Sequence, residues 1–366
     1  MKINGFLLTG SVALGLICAG LHTAMAADKG ATKLTPAKPA IKTLLAEEFV
    51  PHKKDYPTMG EVERLDPALD KLIPASAKIE KLAGGFKWSE GPVWDKKSKS
   101  LLFSDIPRNV IFQWREGVGT RDYLFPSGYT GTEKRGGEVG SNGLTIDSHG
   151  RLVLCAHGDR RVARLEKDGR QTTLAEFYLF RRFNSPNDLV YSSKGELYFT
   201  DPSYGLEGGE KAPRRELVFN GVYLLRKNGD VVLLTRELTF PNGVALSPDE
   251  KSLYIAVSDP ARPVILAYQV KEDGTIDNPR VFFDASPLVP NRKGLPDGLK
   301  VDKSGNVFAT GPGGVLVITS EGRHIGTINP GETTANCAWG DDGSTLYMTA
   351  DSYLCRIKTA TKGKGF

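Results

Sequence analysis

The sequence predicts an all-β chain folded as a six-bladed β-propeller, closed by pairing of an N-terminal strand with the last blade. Three observations predict it. Six short phrases recur in order: Glu90-Gly91, Asn142-Gly143, Asn187-Asp188, Asn242-Gly243, Asp297-Gly298 and Asn336-Cys337. Each opens a segment of one design, in which an apolar strand is followed by a polar turn, a second apolar strand and often a third. The spacing is roughly 40 to 55 residues, the length of a propeller blade. Finally, an apolar strand at about Lys78–Ala83 precedes the first full unit. It would be an orphan edge unless it paired beside Tyr353–Ile357 in the last unit, and a closed ring removes such an edge.

At 366 residues the chain is long enough for more than one core, but an all-β propeller accommodates this length as one unit. Residues 1–26 read as a cleavable secretory signal: Lys2 near the front, an apolar run from Phe6 to about Leu21, and Ala24-Met25-Ala26 before Ala27. The run is short for a membrane span, and no later stretch reaches the roughly 20 apolar residues required. A periplasmic or secreted location follows as the expectation. Cys18 would suggest a lipid anchor, but Ile17 before it fits lipoprotein processing poorly. Residues 27–76 form an N-terminal extension, Lys-, Ala-, Pro- and Thr-rich at first and expected to be partly flexible. Within it, Leu65, Leu69, Leu72 and Ile73 make a short amphipathic pattern suited to packing on the outside of the domain. The propeller is expected over 77–366.

Forty-eight basic and 43 acidic residues give a net charge of +5, too mild a balance to argue for a nucleic-acid partner. Once a signal is removed, Cys155, Cys337 and Cys355 remain. An odd number leaves at least one thiol unpaired, so disulfides are not the basis of this fold. They read as small buried apolar residues, with a Cys337–Cys355 bridge as the alternative. No CxxC or His-rich spacing points to structural zinc.

Within each unit the first two strands form a hairpin, turning at Ser148-His149-Gly150, Lys303-Ser304-Gly305 and their counterparts. If the units surround an axis, the residues that precede the first strands form a ring. They are Glu90, Asn142, Asn187, Asn242, Asp297 and Asn336, each with a side-chain oxygen acceptor. Such a ring suits a hard cation, and the formal charges of Glu90 and Asp297 match a dication. Taken singly, each residue reads equally well as a turn former entering a strand. The second strands return to the same face and end at Asp105, His157, Asp201, Asp259 and Asp351, with Gly311 in the remaining copy. This gives a second polar ring. His157 is suited to orienting substrate or moving protons, or to a plain hydrogen bond. The connections 126–141, 205–219 and 286–295 border the same face and carry Lys134, Arg135, Lys211, Arg214, Arg215, Arg292 and Lys293. They read as a rim for an anionic or polyhydroxylated ligand, or as a solvated surface.

Ser89-Glu90-Gly91-Pro92-Val93-Trp94, Arg182-Phe183-Asn184-Ser185-Pro186-Asn187-Asp188, Phe240-Pro241-Asn242-Gly243 and Leu295-Pro296-Asp297-Gly298 resemble, in order and separation, the SMP-30/gluconolactonase/LRE-like family. The resemblance runs from about Ile79 to the last strand. It implies a six-bladed propeller with a divalent cation near the middle of its channel, usually calcium and in some members zinc. By motif, Glu90, Asn242 and Asp297 take the places of metal ligands, and Asn187 that of an Asn that ligates metal or holds substrate. Arg182 resembles a substrate-side arginine of some members, although Ser185-Pro186 is an insertion beside it. A glutamate that other members carry after the third blade's second strand has no counterpart.

The expected function is therefore hydrolysis of a small-molecule sugar lactone, gluconolactone or a related aldonolactone. A cation, calcium first with zinc or manganese as alternatives, would act as a Lewis acid on the ester carbonyl. Asp297 or another axial carboxylate is the expected base for the attacking water, with His157 assisting. Asn142, Arg182, Asn187, Asp201 and Asn336 are expected to face substrate. No GxSxG elbow points to a serine nucleophile. Two alternatives stand beside this reading: hydrolysis of phosphotriesters or other esters at the same site, and a periplasmic propeller that binds sugar or calcium without catalysis.

Overall fold

The computed structural model describes residues 55–366. The expected signal segment 1–26, with Cys18, and the first part of the 27–76 extension lie outside the described residues. Among the described residues, no helix is long and apolar enough to cross a membrane.

Among the described residues six antiparallel sheets of four or more strands follow one another along the chain, each running from an inner to an outer strand, and a two-stranded ribbon pairs Phe177–Tyr178 with Arg181–Arg182. The first blade comprises Ser89–Asp95, Ser100–Asp105, Val110–Arg115 and Gly119–Leu124. The second comprises Ser141–Ile146, Leu152–Ala156, Arg161–Leu165 and Gln171–Ala175. The third comprises Leu189–Tyr191, Leu197–Asp201, Gly221–Leu225 and Val231–Thr235, and the fourth Pro241–Leu246, Ser252–Val257, Val264–Val270 and Ile276–Asp284. The fifth contains Leu299–Val301, Val307–Gly311, Gly314–Ile318 and His324–Asn329. The sixth contains Thr334–Gly340, Thr345–Ala350 and Tyr353–Lys358, and receives its outer strand, Ile79–Gly84, from the other end of the chain. Ile79 pairs with Ile357 and Lys81 with Cys355, as the orphan-edge argument requires.

Local chemistry sets the hairpins. In the second and fifth blades an Asp-x-x-Gly turn joins the first two strands. Asp147 accepts the backbone N–H of His149 and of Arg151, both at 2.9 Å. Asp302 does the same for Ser304 and Asn306, at 2.9 and 2.8 Å. Gly150 supplies the positive φ of 74° that lets the turn close. Buried faces of neighbouring blades interlock around the ring. Phe308, Val315 and Val317 of the fifth blade pack with Cys337, Trp339 and Met348 of the sixth. Trp94 of the first blade stacks on Tyr347 of the sixth at 5.5 Å, so aromatic packing seals the closure alongside strand pairing.

The amphipathic pattern at 61–73 resolves into two pieces. Glu61–Arg64 adds a fifth strand to the fifth blade, with Glu63 opposite Thr327. Pro67–Lys71 then forms a short 3-10 turn, capped by the Asp66 carboxylate accepting from Ala68 N–H at 2.8 Å. Leu69 and Ile73 are buried, whereas Leu65 is exposed. Pro67 lacks an N–H for a ladder and ends the strand. Cys155, Cys337 and Cys355 are free and buried, so the Cys337–Cys355 bridge does not form.

The strand Ile79–Gly84 buries Ile79, Leu82 and Ala83. Full burial of a side chain the size of Ile79 or Leu82 contributes about 1.5–3 kcal/mol. Removing residues 1–86 is expected to abolish the cooperative thermal transition, while removing only residues 1–54 retains it. Circular dichroism melts of the two truncations check this.

Candidate active site

The inner strands meet the axis at the six repeated phrases, and in the four that have glycine at the second position the next blade approaches too closely for a side chain there. A Cβ on Gly91 would lie 2.1 Å from the Asn142 carbonyl oxygen, and one on Gly243 2.1 Å from that of Asp297. Each carbonyl belongs to the next blade. A second device ties the same neighbours. Near the end of a blade's second strand, a hydroxyl donates to a carbonyl beside or within the next blade's axial phrase. Ser104 donates to Asn142 O (2.8 Å), Thr200 to Asn242 O (2.7 Å), Ser258 to Pro296 O (2.5 Å) and Thr310 to Ala335 O (2.8 Å). The axial side chains are thereby held on a rigid ring rather than on free loops.

Above that ring opens a cavity of about 580 Å³. Glu90, Asn142, Asn187, Asn242 and Asp297 line it together, so five of the six predicted ring residues share one space. The sixth, Asn336, lies outside the lining and donates through Nδ2 to Glu90 Oε2 at 3.1 Å. Its own Oδ1 is engaged by Cys337 N–H at 2.9 Å and by Lys300 Nζ at 3.4 Å, which turns the amide toward Glu90.

The remaining predicted residues stand back from the cavity. His157 is fully buried, with Nε2 3.2 Å from the Asn142 Nδ2 and Nδ1 3.6 Å from Glu138 Oε2. Burial pushes its pKa down to about 3, so the ring is neutral. As acceptor for Asn142 Nδ2 it turns the Asn142 Oδ1 away from itself, and that oxygen has no partner. Asp201 accepts the N–H groups of Asn184 and Ser185, both at 2.8 Å, and so shapes the segment that carries Asn187. Asp105 does the same for Lys87 N–H at 3.0 Å ahead of Glu90. Arg182 lines a separate, arginine-rich pocket with Arg135, Arg160, Arg214 and Arg215, and donates to the Asp159 carbonyl at 2.5 Å.

Three residues that the sequence reading passed over belong to the site. Glu138 reaches the cavity from the connection 126–141. Tyr204, stacked on Phe240 at 5.8 Å, lines it from the other side. Burial and the Asp297 charge raise its phenol pKa. Asp188 occupies the second position of its phrase, where four other blades have glycine. Its oxygens cap Leu189 N–H at 2.8 Å and Val244 N–H at 3.4 Å. That break in the glycine pattern was a readable signal for Asp188. Glu138 and Tyr204 had none, because nothing in a loop sequence says which of its residues turns inward.

Electrostatically the floor is under-compensated. Burial, together with the nearby Asp188 charge, pushes Glu90 up to about 8 against the relief given by Gly91 N–H and Asn336. Burial and the Glu90 and Asp188 charges likewise raise Asp297 well above the ordinary carboxylate range. Asp297 Oδ1 and Asn142 Oδ1 are buried acceptors without hydrogen-bond partners. Buried acceptors left this way are rare in folded proteins and costly. The donor set is carboxylate and amide oxygen; among the described residues no group of three or more His, Cys, Asp or Glu side chains forms a metal cluster. Oxygen donors of mixed charge fit a hard divalent cation better than a thiolate- or imidazole-seeking one.

If like-charge crowding is the cost of this floor, Glu90→Gln should raise the melting temperature in chelator by a few degrees, as expected for relief of about 1 kcal/mol or more. The same substitution should shrink the rise in melting temperature that calcium produces in the wild-type protein. Differential scanning calorimetry with and without calcium reads both effects.

Residues 88–352 match the model of the SMP-30/Gluconolactonase/LRE-like region. The chain is 38% identical to a gluconolactonase of Zymomonas mobilis over 313 residues, covering 84% of this chain and 88% of that protein. A solved gluconolactonase from Xanthomonas campestris, XC5397, superposes with a TM-score of 0.74 at 29% identity, covering 85% of this chain and 98% of that one. A calcium-binding protein, regucalcin, from Agrobacterium tumefaciens shares the fold, with a TM-score of 0.60 at 20% identity over 77% of this chain and 92% of its own. By the extent of the family match and the near full-length similarity to the Zymomonas protein, this chain belongs to the SMP-30/gluconolactonase/LRE-like family.

Proposed function

We propose that this gluconolactonase-like lactone hydrolase works with a divalent cation held by Glu90, Asn187, Asn242 and Asp297, and that it opens an aldonolactone such as gluconolactone by attack of water. One observation carries the reading: two axial carboxylates and three axial amides line a single cavity, and Asp297 Oδ1 and Asn142 Oδ1 are buried without a partner. Kinship with a gluconolactonase at 38% identity supports the substrate class. Calcium is the cation we assign, because the donors are oxygens and because a calcium-binding protein shares the fold.

When bound, such a cation supplies Lewis-acid polarisation of the ester carbonyl. The chain's own residues do the rest. Asp297 takes a proton from the attacking water through its free oxygen as the water oxygen bonds to the carbonyl carbon. The ring C–O bond then breaks, and the released alkoxide oxygen takes up the proton to give the open hydroxy acid. Asn142, locked by His157, presents its amide oxygen to the substrate. Ser258, Tyr204, Arg292, Thr333 and Thr334 offer hydrogen-bond partners for sugar hydroxyls around the walls, whereas Trp88, Pro260, Val289 and Leu295 supply the apolar remainder. Those polar groups supply the hydrogen-bond partners that a sugar lactone requires over the axial ring. A periplasmic or secreted location remains part of this proposal and rests on residues 1–26.

The test is hydrolysis of glucono-1,5-lactone by the purified chain, followed by pH-stat. Activity is expected to disappear with chelator and to return with calcium. Asp297→Asn is expected to lower kcat by about 10²–10⁴-fold with the thermal transition retained. Undiminished turnover after complete removal of divalent ions would sink the mechanism.

A further inference from the structure

The wall of the cavity contains one side chain whose position is set from outside the family-matched segment. Among the described residues that line this cavity, which also holds Glu90, Glu138 and Asp297, Arg292 is the cation, and it lines a second pocket together with Glu63. A guanidinium so placed would be drawn toward those carboxylates and would compete with a cation for them. It is instead engaged from behind. Arg292 Nη1 donates to Glu63 Oε2 at 2.6 Å and Nη2 to Glu63 Oε1 at 2.8 Å, a two-point pairing that fixes orientation as well as distance. The pair is about 30% exposed on each side, so it is not a deeply buried ion pair kept only for packing.

The loop that carries Arg292 is restrained in the same sense. Gly313 N–H donates to the Lys293 carbonyl at 2.8 Å. Arg292 Cδ passes 3.0 Å from where a Cβ on Gly313 would sit, so its stem is laid across that glycine. Glu63 comes from Glu61–Arg64, the strand that the N-terminal extension adds to the fifth blade, and it lies before the family-matched residues 88–352.

We propose that Glu63 is a positioning residue for substrate recognition: it holds Arg292 on the cavity wall, away from the axial carboxylates, where the remaining N–H donors of the guanidinium bind the hydroxyl and carboxyl oxygens of a sugar lactone and its aldonate product. The inference rests on the lactonase reading for its substrate class. It gives the N-terminal strand a functional role, since the fifth blade already has its four strands without it.

The experiment is a double-mutant cycle with Glu63→Ala, Arg292→Ala and the double variant, and Glu63→Gln as a variant of closer shape. Two readouts are taken: KM and kcat for glucono-1,5-lactone, and gluconate affinity by calorimetry in calcium. Each single variant is expected to raise KM and weaken gluconate binding by about tenfold, with kcat changed less than about twofold. The double variant should be no worse than Arg292→Ala alone, because Glu63 acts through Arg292. Multiplying effects in the double variant, wild-type KM and gluconate affinity in Glu63→Ala, or no gluconate binding by the wild-type protein would each overturn the proposal. Absence of lactone hydrolysis by the wild-type protein, with the gluconate cycle behaving as expected, would overturn the lactonase reading and leave the Glu63–Arg292 coupling supported.

Discussion

Close approach of neighbouring inner strands at the axis is the constraint from which the rest follows. Glycine at the second position of four axial phrases removes Cβ atoms that would strike the next blade, its backbone carbonyl at Gly91, Gly143 and Gly243 and the Asn336 side chain at Gly298. Hydroxyls of Ser104, Thr200, Ser258 and Thr310 then tie those blades together. Each contact is modest, about 1 kcal/mol net for a neutral hydrogen bond. Repeated around a closed ring, these contacts leave the first residue of each phrase little choice of direction. The polar site is thus a product of the same packing that closes the propeller.

The ring concentrates negative charge where solvent cannot screen it. Glu90 and Asp297 lie near Asp188 and Glu138, and burial displaces both pKa values upward, with the Asp188 charge adding to Glu90 and the Glu90 charge to Asp297. A globular protein minimising its own free energy would place apolar side chains here. Retaining carboxylates in this setting resembles other functional sites, where stability is given up for a preorganised field. The neutral His157 fits the same logic: an imidazolium behind Asn142 would donate rather than accept, and the hydrogen bond that orients the amide through its Nδ2 would be lost.

Around this rigid centre the loops supply individuality. Glu138, Tyr204 and Arg292 each come from a connection on the same face, and each reaches the cavity by a route that differs from blade to blade. The arginine-rich pocket that includes Arg182 lies apart from the axial cavity and is largely engaged with backbone carbonyls. Arg135, Arg160 and Arg182 are therefore backbone anchors, whereas Arg292 lines the wall of the axial cavity.

The fold and the axial ring were legible because both are periodic. Strand alternation, turn residues and acceptor-bearing phrases recur at blade spacing, and the orphan strand at Ile79–Gly84 had a single open edge to fill. By itself the sequence determined six blades, their closure, and the identity of the oxygen donors that line the axis. Tertiary structure decided what has no period: that Asn336 turns to Glu90, that His157 and Asp201 support the site from behind, and that Glu138 and Tyr204 enter it. It also decided that Glu63, more than 200 residues away in the chain, grips Arg292. The physical reason is that a repeat specifies direction through steric contacts common to every copy, whereas a loop side chain takes its direction from neighbours that only the closed ring brings together.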